Sequence, residues 1–201
     1  MKTKLIWAFV SASLMVGTAL AQDKFQALHA ASFKANGIAT LDRLNQDDTQ
    51  QYCSNADALA GKADPKKRAM IEKENLATVR LPSDGNYFGD WKEGEKIAQS
   101  GRGATWTDKA DAVVGGGCYN CHQISKKEIS YGSIGPSLYN YGKMRGVGKD
   151  VVEYTWGKIY NSKAYNACSN MPRFGHYKLL NEQQMRHLMS LLLDPQSPVN
   201  Q

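Results

Sequence analysis

Cys118-Tyr119-Asn120-Cys121-His122 is a C-x-x-C-H run, the pattern of covalent c-type haem attachment. Two thiols three positions apart can add to the two vinyl groups of one porphyrin. The histidine that follows then lies beneath the ring, where an imidazole nitrogen can bind the iron. A bare C-x-x-C is shared with zinc sites and redox dithiols. Zinc needs a second ligand pair at similar spacing, which the sequence lacks, and a redox dithiol has no need of the histidine. The run occurs once, so the expectation is one covalently bound haem c, tethered by Cys118 and Cys121, with His122 on the iron.

The N-terminus predicts the compartment such a group requires. Lys2 and Lys4 open the chain, and Leu5 to Leu20 is apolar apart from Ser, Thr and Gly. Ala19-Leu20-Ala21 then forms an A-x-A cleavage site before Gln22. The apolar run is shorter than the roughly 20 residues of a membrane span, which disfavours an uncleaved anchor. No cysteine follows the cleavage site, so a lipid anchor is not expected there. Residues 1–21 therefore read as a signal peptide, and the mature chain as a periplasmic protein free of the membrane. Outside the cytoplasm both c-type haem and disulfides are at home.

About 180 mature residues suit one ordinary domain, or a small domain with an extension. The chain has 25 Lys+Arg against 19 Asp+Glu. Without Lys2 and Lys4 the balance is 23 against 19, too mild to argue for nucleic acid. Cys53 and Cys168 are left over once the haem cysteines are assigned. In an oxidising compartment two such cysteines most often pair, which would stabilise by about 2–4 kcal/mol. The competing reading is a free thiol or an iron ligand.

Residues 22–82 read as a separate helical extension. Phe25, Leu28, Ala31 and Ala35 fall at helical spacing, and Leu41 and Leu44 continue the stripe. His29 lies among them as a surface or packing residue. A second helix is predicted from Pro65 to Leu76 with Asp64 as N-cap, and Leu81-Pro82-Ser83-Asp84-Gly85 as a boundary turn. Residues 83–201 then form the haem domain. A helix at 90–100 is expected to bury Trp91, Ile97 and Ala98, and Gly115-Gly116-Gly117 to turn the backbone before the attachment run. A helix from Val151 to Tyr160 is expected to take Asp150 as N-cap and to turn Val152, Trp156 and Ile159 inward. A last helix follows Asn181, carries Met185, Leu188, Met189 and Leu192 on one stripe, and ends at Pro195. Strand-like alternation is nearly absent, so the fold class is mostly α.

The iron needs a second axial ligand. Met185 and Met189 fit the stripe of the last helix and are read as core, and Met70 as part of the extension. Met171 is better placed, because Pro172 biases it toward an extended backbone from which a thioether can reach sideways into a pocket. Met144 and His176 are its competitors. A backbone carbonyl in Gly135-Pro136-Ser137-Leu138 is in position to accept the other ring N–H of His122 and fix its tautomer. Tyr119, Tyr131, Tyr139, Tyr141 and Trp156 are expected to wall the pocket. Lys126, Lys127, Lys143, Arg145, Lys149 and Arg173 cluster around these loops, either as scattered solvated charge or as a surface that steers an acidic redox partner or an anionic sulfur substrate.

Taken together, the attachment run, the Gly135–Leu138 turn, the Met171-Pro172 loop and the final helix resemble a class I cytochrome c. The stretch Cys168-Ser169-Asn170-Met171-Pro172-Arg173-Phe174-Gly175, preceded by a helix containing Trp156, resembles the SoxX family, the small cytochrome subunit of the SoxAX complex of bacterial thiosulfate oxidation. The resemblance covers roughly residues 86–195, and residues 22–82 look like an extension carried by a subset of that family. It implies an L-cysteine S-thiosulfotransferase in which a heterodimer with SoxA joins thiosulfate to a cysteine of the SoxYZ carrier. The bond-making site would lie on SoxA. This chain, with His/Met iron held by His122 and Met171, would pass electrons to a small cytochrome c. No residue of the chain itself is expected to be catalytic. The alternative is a free-standing, diffusible periplasmic electron carrier.

Overall fold

The computed structural model describes residues 24–25 and 27–201. The expected signal peptide and its cleavage site lie outside them. Among the described residues the chain is mostly α-helical and forms no strand, only an isolated bridge between Asn36 and Ala39. It divides into two compact units, one ending at Asn45 and one spanning Gln46–Gln201.

In the first unit helix α1 (27–32) is followed by a turn at Gly37 (φ +53°) and a 3₁₀ turn, Leu41–Leu44. His29 stacks on Phe25 and meets Phe33 edge-on, with ring centroids 6.0 and 5.1 Å away. The stripe expected from Phe25 to Leu44 is interrupted by this turn, and Phe25, Leu28 and Leu41 are exposed.

The second unit holds α2 (Asp48–Cys53), α3 (Ala56–Leu59), α4 (Pro65–Ala77), α5 (Trp91–Gln99), α6 (Tyr141–Arg145), α7 (Lys149–Tyr160) and α8 (Glu182–Leu193). Asp64 caps α4 through the Lys66 N–H, with Pro65 in the first turn, as the sequence predicts. Asn181 and Gln184 close a capping box on α8, which buries Met185, Leu188, Met189, Leu191, Leu192 and Leu193. The chief helix contact is α5 on α8. The two backbones approach so closely at Gly94 that a Cβ there would stand 2.2 Å from the His187 carbonyl oxygen. That approach explains the buried face of α5: Gly94 and Ala98 are fully enclosed, while Trp91 and Ile97 are only half-buried. On α7 the N-cap is Gly148 rather than Asp150, which lies in the first turn. Val152, Trp156 and Ile159 are buried as expected.

The compact units do not divide at 82/83. The Leu81–Gly85 turn forms, with the Gly85 N–H on Pro82 O, but residues 46–82 pack into the same unit as the rest. Trp156 on α7 donates its indole N–H to the Arg80 carbonyl at 2.8 Å. Buried Asn161 donates to Asn75 Oδ1 at 3.0 Å and lies 2.9 Å from Thr78 Oγ1. Asn75 in turn donates to Thr49 Oγ1 at 2.9 Å. Turn chemistry signals a change of direction, and here the chain turns back onto its own core.

Candidate functional site

Cys118–Asn120 form a single 3₁₀ turn, closed by the Cys121 and His122 N–H groups on the Cys118 carbonyl at 3.1 and 2.9 Å. The three glycines before it set its position. Gly115, Gly116 and Gly117 donate their N–H groups to Arg102 O, Ile97 O and Ser100 O, laying the run of glycines along the end of α5. A Cβ at Gly115 would fall 2.0 Å from the Ser100 oxygen, and Gly117 has φ +55°, so larger residues are excluded. Tyr119 is buried and anchors the turn from below. Its hydroxyl lies 2.9 Å from Glu95 Oε1 on α5 and 3.2 Å from Ser125 Oγ. Burial pushes the Tyr119 phenol up to about 12, with the hydrogen bond to Glu95 adding to the shift.

His122 Nδ1 lies 2.7 Å from the Pro136 carbonyl oxygen. A carbonyl only accepts, so Nδ1 carries the proton and Nε2 keeps the lone pair. Gly135 lies against the ring, where a Cβ would meet His122 Cε1 at 2.2 Å. The imidazole is thus held in orientation and tautomer by the turn singled out in the sequence.

Cys53 and Cys168 form a disulfide, with Cα atoms 5.3 Å apart. Cys118 and Cys121 are both free thiols. Burial pushes the Cys118 thiol up to about 12. Among the described residues no three His, Cys, Asp or Glu side chains gather where they could hold a metal ion. Ile129 and Ile134, in the loop between His122 and Pro136, are 89% and 76% exposed. Two free thiols in one turn and an adjacent imidazole whose Nε2 keeps its lone pair are the donor set that fits a c-type haem.

Met171 is half-buried and packs against the same core cluster as Cys118, Leu138 and Tyr141. Its backbone is pinned on both sides: the Ser162 hydroxyl donates to its carbonyl, and its N–H donates to Ser169 Oγ at 3.2 Å. Of its competitors, Met144 is 80% exposed on α6. His176 is half-buried, with Nδ1 3.3 Å from Thr78 Oγ1. Burial and the Arg173 charge lower its pKa. Met185 and Met189 are in the core of α8.

The aromatic residues take more varied places than a common wall. Trp156 is in the core, Tyr141 hydrogen-bonds Thr155 at 2.8 Å, Tyr139 lies under Lys126, and Tyr131 is exposed. Lys126, Lys127, Lys143, Arg145 and Lys149 are exposed. Arg173 leaves that group: it is 3% exposed and paired with Asp47.

Sequence reasoning missed the residues that hold the Met171 loop. Arg68 donates to Asn166 Oδ1 at 2.6 Å, Glu72 accepts the Ala167 N–H at 3.0 Å, and Asp47 accepts from both Arg173 and Tyr177. The one signal in the sequence was Cys53, whose pairing with Cys168 brings the two segments together.

No protein-family model matches the chain. An uncharacterized lipoprotein of Aquifex aeolicus (strain VF5) is 36% identical over 157 residues, covering 77% of this chain and 73% of the relative.

Proposed function

We propose that the chain, which belongs to the same family as the Aquifex aeolicus lipoprotein, is an exported cytochrome c of class I type. It would carry one covalent haem and act as the electron-transfer subunit of a SoxAX thiosulfate-oxidising complex. The observation that carries the reading is the Cys118–His122 turn with its two free thiols, the His122 Nδ1 committed to Pro136 O and Nε2 left as the ligand nitrogen. When bound, the haem would supply a one-electron couple. Cys118 and Cys121 would tether it. Pro136 O holds the proton on His122 Nδ1, which orients the ring and raises the basicity of Nε2. Met171 would supply a soft sulfur to the iron, and such His/Met ligation favours a higher potential than two imidazoles.

The relative is named a lipoprotein, which agrees with export. Lipid attachment uses a cysteine at the mature N-terminus. The first cysteine of this sequence is Cys53, and it is bonded to Cys168; the location proposed is the periplasm.

In the SoxAX reading, thiosulfate joins the SoxYZ cysteine on SoxA, two electrons are released, and this chain relays them singly to a small cytochrome c. A free-standing electron carrier is the second reading. It is favoured by one observation: residues 46–82 are packed into the same compact unit as the Cys118–His122 turn, which leaves that segment with a function that requires no partner. Native mass determination on the untagged protein, with haem staining of the denatured bands, separates the two. A stable heterodimer with a larger haem-bearing subunit, active with thiosulfate and SoxYZ, is expected. A single-haem monomer would move the assignment to the free carrier.

A further inference from the structure

We propose that Asp47 is a positioning residue for Met171, acting through Arg173 to hold the ligand loop from outside. The inference rests on the haem reading above and gives residues 46–82 their role. Met171 sits in the middle of a loop that this segment grips at both ends. Upstream of Met171, Cys168 is bonded to Cys53, the Ala167 N–H is on Glu72 and Asn166 is held by Arg68. Downstream, Arg173 is buried and its guanidinium donates to Asp47 Oδ2 and to the Tyr177 hydroxyl, above whose ring it lies at 4.4 Å. Tyr177 donates to the same Asp47 oxygen at 3.0 Å, and His176 meets Thr78.

The upstream grip includes a covalent bond, which does not depend on charge. Downstream, the Gly175 and His176 N–H groups on Tyr160 O hold the backbone, and the charge pair holds the Arg173 side chain. A buried guanidinium that loses its carboxylate must move toward water or find another acceptor. Arg173 is two residues from Met171, with only the stiff Pro172 between them, so its movement is transmitted to the thioether. Asp47 also caps α2, in a capping box with Gln50. The two roles separate cleanly, because asparagine caps helices as well as aspartate and carries no charge for Arg173.

The test compares Asp47→Asn with Gln50→Ala, which breaks the capping box and leaves Arg173 paired. The haem-loaded proteins are read by the far-red charge-transfer band of a methionine sulfur on ferric iron and by the reduction potential. Amide exchange over residues 170–177 is read alongside. Asp47→Asn is expected to weaken the band, shift the potential toward that of Met171→Ala and speed exchange about tenfold, the scale of a lost charge-assisted hydrogen bond. Gln50→Ala is expected to leave all three near wild type. Wild-type band, potential and exchange in Asp47→Asn overturn the inference while the haem reading stands. Equal effects of both variants also overturn it, since the cap alone would then be responsible. A wild-type protein without covalent haem removes the haem reading and the inference with it.

Discussion

The two sides of the candidate site are built by different means. On the His122 side the chief partners are near in sequence: three glycines on the end of α5, a 3₁₀ turn, and a carbonyl 14 residues on that fixes the imidazole. On the Met171 side the partners are distant. Glu72 is 95 residues from Ala167 and Asp47 is 126 from Arg173. A local arrangement can be written in a motif, and it forms wherever the chain around it is intact. A distant one depends on the whole fold, so the Met171 side should be separable from the His122 side by changes that touch neither ligand.

The largest expected effects test that separation directly. Replacing both Cys118 and Cys121 by Ser should leave no haem on the denatured band in a haem stain. Met171→Ala should keep the haem fully attached while losing the methionine–iron band and lowering the potential, as expected when a thioether ligand is lost. A Met171→Ala spectrum identical to wild type would remove Met171 as the ligand.

Breaking the Cys53–Cys168 bridge with a double Ser variant should cost about 2–4 kcal/mol in denaturant unfolding. Its spectral effect should fall on the methionine band and spare haem attachment. Loss of attachment in this variant would show that the two sides are not independent.

Acid should act on the Met171 side through Asp47. Burial raises the Asp47 carboxyl, but the Gln50 N–H, the Arg173 guanidinium and the Tyr177 hydroxyl outweigh it and hold the group below its ordinary 3.8. A lowered folded pKa adds stability above the unfolded value, and that stability is lost as pH falls through the folded one. Wild type should therefore lose stability below about pH 4 more steeply than Asp47→Asn, in urea titrations taken stepwise into acid. Parallel curves would mean that the pair contributes nothing to folding. The smallest effect belongs to Trp156→Phe, which gives up the bond to Arg80 O. It should cost roughly 1 kcal/mol and leave the spectrum unchanged.

The same division explains what the sequence made legible. The attachment turn, the Pro136 carbonyl on His122, the caps of α4 and α8 and the buried face of α7 all follow from residues within a few turns of one another. Pairing of Cys53 with Cys168 was legible from compartment and arithmetic. By contrast, Arg173 reads as one more surface cation beside Lys143 and Lys149, because nothing near it in sequence announces that Asp47 will bury it. The expected boundary at Leu81–Gly85 has the same cause. The turn is real, but whether a chain leaves its domain after a turn or folds back is decided by Trp156, Asn161 and Asn75, which lie on both sides of it. Gly148 in place of Asp150 as the cap of α7 is a smaller case, since both residues tolerate the position and only the backbone chooses.

The most direct measurement is the intact mass of the denatured protein, produced in a host that matures c-type cytochromes and treated with a thiol-alkylating reagent without reduction. The account predicts a single species heavier by one haem, with no alkylated cysteine, because Cys118 and Cys121 would be taken up as thioethers and Cys53 and Cys168 are bonded. A haem-free mass with two alkylated thiols at Cys118 and Cys121 would contradict it.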